Sequence, residues 1–419
     1  MKNKTKFKQT ETCGEQGRTI GRIPEGWEEK EIQEVADVVG GGTPSTKEAD
    51  NFNGNIPWIT PKDLSNYKFR HISRGERNIS QKGLEQSSAK LLPANTILLT
   101  TRAPVGYVAI SKNEVTTNQG FHSLISKSGV SFEFLYYLLK SNTEVLKSHA
   151  SGTTFGELSG STLKSLKFVF PELSEQRAIA KILSDLDEKI ELNNQMNKTL
   201  ESMAQAIFKE WFVDFHFPGY EKVKMVDSEL GKIPLGWKTD KLDNCIEFFK
   251  GKKPIDVTEE KKEGYLPQIL IETLNGGRFL YANKTNAIIC EENDIIMVMD
   301  GASSGRVEIG FNGILGSTLA KVALKNDDLN NEYLYFILLL NEQDIKENTT
   351  GSAIPHADKN KILSTQIVIP CKEFLISFRE IIINVFAKIR VNKKEIKTLF
   401  QLRDSLLPKL MSGKIRVDN

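Results

Sequence analysis

Cysteine is scarce in this chain of 419 residues, and its four copies, Cys13, Cys245, Cys290 and Cys371, show no paired C-x-x-C spacing. That scatter argues against a zinc site and a disulfide framework and leaves reduced structural thiols. Long apolar runs are missing too: nothing approaches the ~20 residues of a membrane span, so no membrane is expected as a partner. The Lys-rich start, residues 1–9, runs into polar residues rather than the apolar centre of an export signal. Residues 1–20 are therefore read as a polar N-terminal segment, and the protein is expected in the cytoplasm. An excess of charge of one sign is also lacking, with 56 Lys and Arg against 54 Asp and Glu and a formal net charge of +2. Composition alone does not announce a nucleic-acid binder, so any such surface must come from local clustering.

Catalytic signatures are absent as well. No G-x-x-x-x-G-K-[ST] phosphate loop occurs, and no N-P-P-[YF] or D-P-P-Y tetrapeptide of the kind adenine methyltransferases use. The glycine run Gly40, Gly41 and Gly42 precedes Thr-Pro instead of opening a helix, which makes it a poor cofactor loop. Asp256, Glu260 and Lys261 superficially resemble a nuclease set but lie in a charged, turn-like run, where a solvated loop is the simpler reading. His71, His122, His149, His216 and His356 form no metal-spaced group. No catalytic residue, metal ligand or cofactor is expected.

What is present is a duplication. IPEGW at residues 23–27 returns as IPLGW at 233–237, an offset of 210. Further on the offset settles at 199. Gly106, Val108 and Ile110 recur as Gly305, Val307 and Ile309; Glu133, Leu135, Tyr136 and Leu139 as Glu332, Leu334, Tyr335 and Leu338; Gly152, Ser165 and Pro171 as Gly351, Ser364 and Pro370; Lys189, Ile190, Asn193 and Leu200 as Lys388, Ile389, Asn392 and Leu399. The difference between the two offsets is extra loop in the first copy. Between these landmarks the copies diverge, most visibly where residues 40–64 face residues 250–274. A shared framework with different surfaces is what selection for two different targets would leave.

Each copy opens with short apolar or alternating segments broken by turn residues, for example 95–113 and 293–312, which read as strands. A short helix is predicted over 132–140 and 332–340, and a last strand ends at Pro171 or Pro370. The globular parts are thus α+β. From Ser174, a plausible N-cap, the first copy then runs to Phe212 without Gly or Pro and predicts one long helix. Heptads place Ile179, Leu186, Asn193, Leu200 and Ile207 at a and Ile182, Met196 and Met203 at d, with Leu183, Ile190 and Trp211 beside them; Lys189 interrupts the d series. In the second copy Phe378, Val385, Asn392, Leu399 and Leu406 hold a, Ile381 and Leu402 hold d, and Ile382, Ile389 and Ile396 flank them. The two stripes are in phase, each with an Asn at the same repeat position, and the economical partner for one is the other. An antiparallel coiled coil is expected, because one globular part lies between the helices and that arrangement relates the repeats by a pseudo-twofold axis.

The run from Pro171 to Phe212, following a globular part opened by IPEGW, resembles the helical region of type I restriction-modification DNA specificity (S) subunits. Residues 227–238 and 392–417 resemble the second half of the same family. The likeness covers about residues 21–419. It implies a first target-recognition domain over 21–172, a first long helix over 173–215, a linker and second target-recognition domain over 216–371, and a second long helix and tail over 372–419. It also implies a non-catalytic subunit whose two domains read the halves of a bipartite target in double-stranded DNA while the helices set the spacer. Two methyltransferase (M) subunits would dock on it, joined by motor-nuclease (R) subunits.

On that reading the residues that touch DNA should be basic or amide side chains on loops. Residues 61–90 carry seven basic residues against three acidic ones. Within this patch Lys62, Arg70, Arg74 and Arg77 are candidates, with a solvated charged loop as the competing account. Arg102 sits on a Gly/Pro-shaped tip, near Asn118 and Gln119, and the repeat offers Ser303, Ser304 and Arg306. A framework hydrogen bond inside the domain competes for each of these. Lys250, Lys252 and Lys253 are read as phosphate neighbours in the second copy. Trp27, Trp58 and Trp237 could stack on bases, but the recurrence of Trp27 as Trp237 favours a scaffold role.

Overall fold

The structure, a computed structural model, describes residues 7–8, 23–102, 104–151, 156–277, 279–351 and 355–417. Cys13, Gly152 and nearly all of the polar N-terminal segment lie outside the described residues. The chain divides into two compact units. The first comprises residues 1–193 and 395–419, and the second residues 194–394. Each unit is mixed α+β and contains part of each of two 40-residue helices, Leu173–Phe212 and Lys372–Met411.

In the first unit a five-stranded sheet runs in the order Ala36–Gly40, Phe121–Ser126, Ile97–Thr100, Val108–Ser111, His71–Ile72. Its central strand is buried on both faces, which explains the unbroken apolar run. Ile97 and Leu99 point to one side, with Ile110 and Leu124, and pack on Leu135 and Leu139 of the helix Phe132–Ser141 and on Ile179 and Leu183 of the first long helix. Leu98 points to the other side, where it meets Ile59, Leu92, Val115 and Phe121. Beyond this second core stands a three-stranded sheet, Thr116–Thr117, Phe52–Ile59 and Arg77–Ile79.

The second unit repeats the two-core plan on a four-stranded and a five-stranded sheet. Ile295 and Met297 face Leu334, Leu338, Phe378 and Ile382, while Ile296 and Val298 face Ile269, Cys290 and Leu315. The Cys245 and Cys290 thiols are buried, and burial pushes them up to about 11 and about 12, so both stay protonated and unreactive.

The short helices match the sequence expectation closely, at Phe132–Ser141 and Asn331–Leu340. The long helix begins two residues earlier than a Ser174 cap predicts: Ser174 lies inside the first turn and is exposed, rather than capping it. Within the first unit Asp187 meets Arg403 and Asn193 meets Glu395, so the two helix segments there run antiparallel. Within the second unit Asn197 meets Asn392 and Phe208 meets Phe378, again antiparallel.

The heptad frame needs correction. Four of the five residues placed at d are exposed, Ile182, Met203 at 52%, Ile381 and Leu402 at 45%, and the fifth, Met196, is half-buried. The buried positions include Ile179, Leu183, Asp187, Ile190, Asn193, Asn197, Ala204 and Phe208, with Leu186, Met196 and Leu200 half-buried between them. On the second helix Phe378, Ile382, Ile389 and Asn392 are buried, and Val385 and Leu399 half-buried. The partner-facing residue thus follows each assigned a position by four residues, not three, and the series called a is the second half of the seam. Charged residues at the assigned d positions, Lys189, Lys388 and Glu395, carried that signal in the sequence.

The seam holds a polar pair. Asn392 Nδ2 donates to Asn197 Oδ1 at 2.9 Å, both side chains are buried, and Asn392 Oδ1 has no protein partner. A buried Asn pair of this kind fixes register at a cost in stability. Asn197→Leu is therefore expected to destabilise by about 1–3 kcal/mol, by leaving the Asn392 amide unpaired. Asn197→Leu with Asn392→Leu should recover that loss or exceed it. Urea unfolding of the full chain checks both; a single variant as stable as the parent would contradict the pairing.

Candidate nucleic-acid interface

In the first unit four sequence-distant loops converge beyond the sheets. Gly42 N–H donates to Thr117 O, and Trp58 Nε1 donates to Gly42 O at 3.0 Å. Thr43 Oγ1 donates to Gln119 Oε1. Asn118 N–H reaches Ile59 O, and Thr101 N–H reaches Gly120 O at 2.8 Å, which draws residues 101–102 to the same place. The glycine run is there for close approach: a Cβ on Gly41 would stand 2.0 Å from Asn118 O, and one on Gly42 2.2 Å from Ala89 N.

Asp63 organises the next loop. Its carboxylate accepts from Thr60 N–H and hydroxyl at 2.7 Å each and from Glu76 N–H at 2.7 Å. This presents Lys62, exposed and paired with Glu76 at 2.6 Å. Arg74 is exposed, and Arg77 lies with its guanidinium 4.2 Å from the centroid of the Phe52 ring, also exposed. Arg102 donates to Glu157 at 2.8 Å. Gln119 is exposed, whereas Asn118 is half-buried and braces its own turn by accepting from Gly120 N–H at 2.9 Å.

Arg70 is a correction to the exposed basic loop expected from sequence. Its side chain is 5% exposed and donates to Glu188 Oε1 at 2.8 Å, while its backbone N–H donates to Glu191 Oε1. It therefore ties the sheet to the first long helix. Lys82 is likewise occupied, by Glu48 and Asp50. The patch that remains open is Lys68, Arg74, Arg77 and Lys90.

The second unit brings corresponding loops together. Gly251 N–H donates to Leu319 O, Gly316 N–H to Ile269 O, and Met299 N–H to Thr318 O at 2.8 Å. Lys250 pairs with Asp300 at 3.0 Å and His356 Nδ1 with the same carboxylate at 2.8 Å. Although partial burial opposes it, hydrogen bonds from His356 and Lys250 hold the Asp300 carboxyl below its ordinary value. Lys252 and Lys253 are exposed beside them.

Two of the expected contacts are used for structure instead. Ser304 is buried, and Ser303 half-buried beside it in the same turn. Arg306 spends its donors on Glu308 Oε1, Asn275 Oδ1 and Leu274 O, where it caps the end of the helix Ile271–Leu274. The tryptophans are framework: Trp27 Nε1 donates to buried Glu175, and Trp237 packs among Phe212, Phe217 and Phe374. Asp256 accepts from the Tyr265 hydroxyl. Among the described residues no group of three His, Cys, Asp or Glu side chains could hold a metal, and no helix is long and apolar enough to cross a membrane.

Glu157, Asp300 and His356 were missed from sequence. Each sits at a site found only once the two copies are superposed strand by strand, because unit 2 has one residue more between 102 and 106 than unit 1 has.

The model of the type I restriction modification DNA specificity domain matches this chain twice, over residues 24–202 and 234–401. The chain is 37% identical over 429 residues to the type I restriction enzyme MjaIX specificity subunit of Methanocaldococcus jannaschii, covering 99% of this chain and 97% of that one. It is 24% identical to the HindI specificity subunit of Haemophilus influenzae, over 86% of this chain and 94% of that one. The crystal structure of a type I restriction-modification S subunit from M. genitalium superposes with a TM-score of 0.62 over 94% of this chain and 96% of the other, at 21% identity. With two copies of the domain matched and a relative 37% identical over 99% of the chain, this chain belongs to the type I restriction-modification specificity subunit family.

Proposed function

We propose that this chain is the non-catalytic DNA-specificity subunit of a cytoplasmic type I restriction-modification complex. Residues 21–172 and 216–371 each read one half of a bipartite duplex target. The helices, 173–215 and 372–419, form an antiparallel coiled coil that sets the spacer and docks two methyltransferase subunits, to which motor-nuclease subunits are added. The chain itself binds no cofactor.

The observation that carries this reading is the duplicated unit, in which the same sheet framework presents different loops. In the first, Thr43, Lys62, Arg74, Arg77, Arg102 and Gln119 stand where convergent loops meet; in the second, Lys250, Lys252 and Lys253 do. Lysine and arginine on phosphates supply affinity without sequence information, and side chains that reach base edges supply the discrimination. Two such readers on a fixed spacer select a split site, because a duplex presents the same groove only every 34–36 Å or so.

Co-expression with the neighbouring methyltransferase gene, followed by mapping of methylated adenines across the genome, tests this. A single motif with two different specified halves and a constant gap is expected. A contiguous motif, or none, would contradict it. A sequence-indifferent helical adaptor would instead bind all duplexes equally once salt is raised.

A further inference from the structure

Strand by strand, residue 102 of the first unit corresponds to 300 of the second, and 157 to 356. The backbone at this locus is the same in both. Residues 102 and 157 form an antiparallel bridge, as do 300 and 356, and each second residue also bridges back, to Ser151 or to Thr350. Leu158 N–H donates to Thr101 O at 3.0 Å, and Ala357 N–H to Met299 O at 2.8 Å. The side chains on this shared frame are exchanged in charge. In unit 1 the strand-end loop carries the cation, Arg102, and the bridging segment the anion, Glu157. In unit 2 the strand-end loop carries the anion, Asp300, and the bridging segment carries His356, with Lys250 closing on the same carboxylate.

Three features separate this locus from an ordinary surface ion pair. Landmark positions such as Gly106 and Gly305 or Tyr136 and Tyr335 keep their residue type between copies, whereas this one keeps its backbone and reverses its charge. It lies against the convergent loops, through Thr101 N–H on Gly120 O and Met299 N–H on Thr318 O. In the second unit the carboxylate is the inner member, 21% exposed against 60% for Lys250 and 49% for His356. Exposed pairs contribute little to stability, so folding alone gives no reason for building the same clasp twice with opposite polarity.

We propose that this clasp is a specificity-determining position of each reader, with Glu157 and Asp300 as positioning residues that orient Arg102, and Lys250 with His356, towards base edges of duplex DNA. The proposal rests on the function given above and adds residues to it. A guanidinium can pair with two guanine acceptors, and an ammonium or imidazole presents different donors in a different geometry, so exchanging polarity changes what each half-site selects.

The test uses the full chain assembled with its methyltransferase subunits. One variant gives unit 1 the bridged pair of the other clasp (Arg102→Asp with Glu157→His), and a second does the reverse (Asp300→Arg with His356→Glu), Lys250 staying in place in both. Each exchange should change one or more bases in one half-site, a different half for each, leaving the other half and the gap as in the parent. Glu157→Gln, which keeps size and a hydrogen-bonding group, should relax discrimination at the same base as the first exchange by about 5- to 150-fold, the range a side chain–base contact supplies. It also serves should an exchange variant fail to assemble. Unchanged motifs, or weakening that is uniform over all sequences, would overturn the proposal. A parent complex that methylates no split motif would instead overturn the functional reading.

Discussion

Removing residues 195–201 from the first long helix together with 388–394 from the second is expected to shorten the gap between the methylated half-sites and leave both half-site sequences unchanged. The two segments are matched: Asn197 and Asn392, which meet in the seam, leave together, while Asn193 and its partner Glu395 stay. Removing one heptad from each keeps the seam residues in phase and takes out ~10 Å of rise. On duplex DNA that is worth up to about three base pairs. Methylation of the original spacing should fall to background, since a reader displaced by that amount no longer meets its bases. Removing the segment from one helix only breaks the pairing and should abolish assembly rather than change the gap. Mapping methylated adenines decides the matter; an unchanged gap in the matched deletion would mean the helices are not the ruler.

The second large effect is expected at Asp187. Its carboxylate is almost fully buried in the first unit, accepting from the Tyr137 hydroxyl at 2.8 Å and from Arg403 Nη1 at 2.7 Å. Burial, followed by the neighbouring Asp187 charge, pushes the Tyr137 phenol far above its ordinary value, so the hydroxyl remains a donor. Asp187→Ala leaves a largely buried guanidinium and a buried hydroxyl without this partner. Arg403 keeps its bonds to Asp404 through Nε and Nη2, so the expected loss is about 1–3 kcal/mol, from the buried donors left without an acceptor. Asp187→Asn keeps an acceptor for Tyr137 and should cost less. The repeat supplies a control, because the positions equivalent to Tyr137, Asp187 and Arg403 in the second unit are Phe336, Phe386 and Ala204. There the contact is apolar, with Phe336 and Phe386 stacked at 6.1 Å. A triple variant, Tyr137→Phe with Asp187→Phe and Arg403→Ala, should recover most of the stability lost by Asp187→Ala. Thermal and urea unfolding measure all three; a triple variant no better than the single would show that the surroundings of the first unit demand charge.

These two regions also show how far the sequence could be read. The duplication, the α+β units and the two long helices were legible because landmark glycines, aromatics and apolar stripes recur at a constant offset. Heptad phase was not, because a stripe wide enough to pack against a domain as well as a partner helix holds apolar residues on both sides of the seam. Ile182 and Met203 satisfied a pattern and still face solvent. Buried polar residues such as Asn197 mark the true seam, and a count of apolar heptad positions passes over them. At the interface, composition located the basic loop of the first unit but could not tell Arg70, taken up by Glu188, from Arg74, left open a few residues later. That difference depends on which strand packs against the helix. Arg306 is similar: besides nearby Glu308, two of its acceptors, Asn275 and Leu274, lie some thirty residues earlier in the chain. Charge reversal at equivalent positions was visible in principle, but only after an insertion of one residue is placed between 102 and 106.

The claim that one chain carries two readers at a set separation is tested most directly by equilibrium binding of the assembled complex, at raised salt, to duplexes built from its methylated motif. Scrambling either half alone, or lengthening the gap by five base pairs with both halves intact, is predicted to reduce affinity towards the non-specific level. Binding that survives the loss of one half-site, or that ignores the gap, would contradict the account.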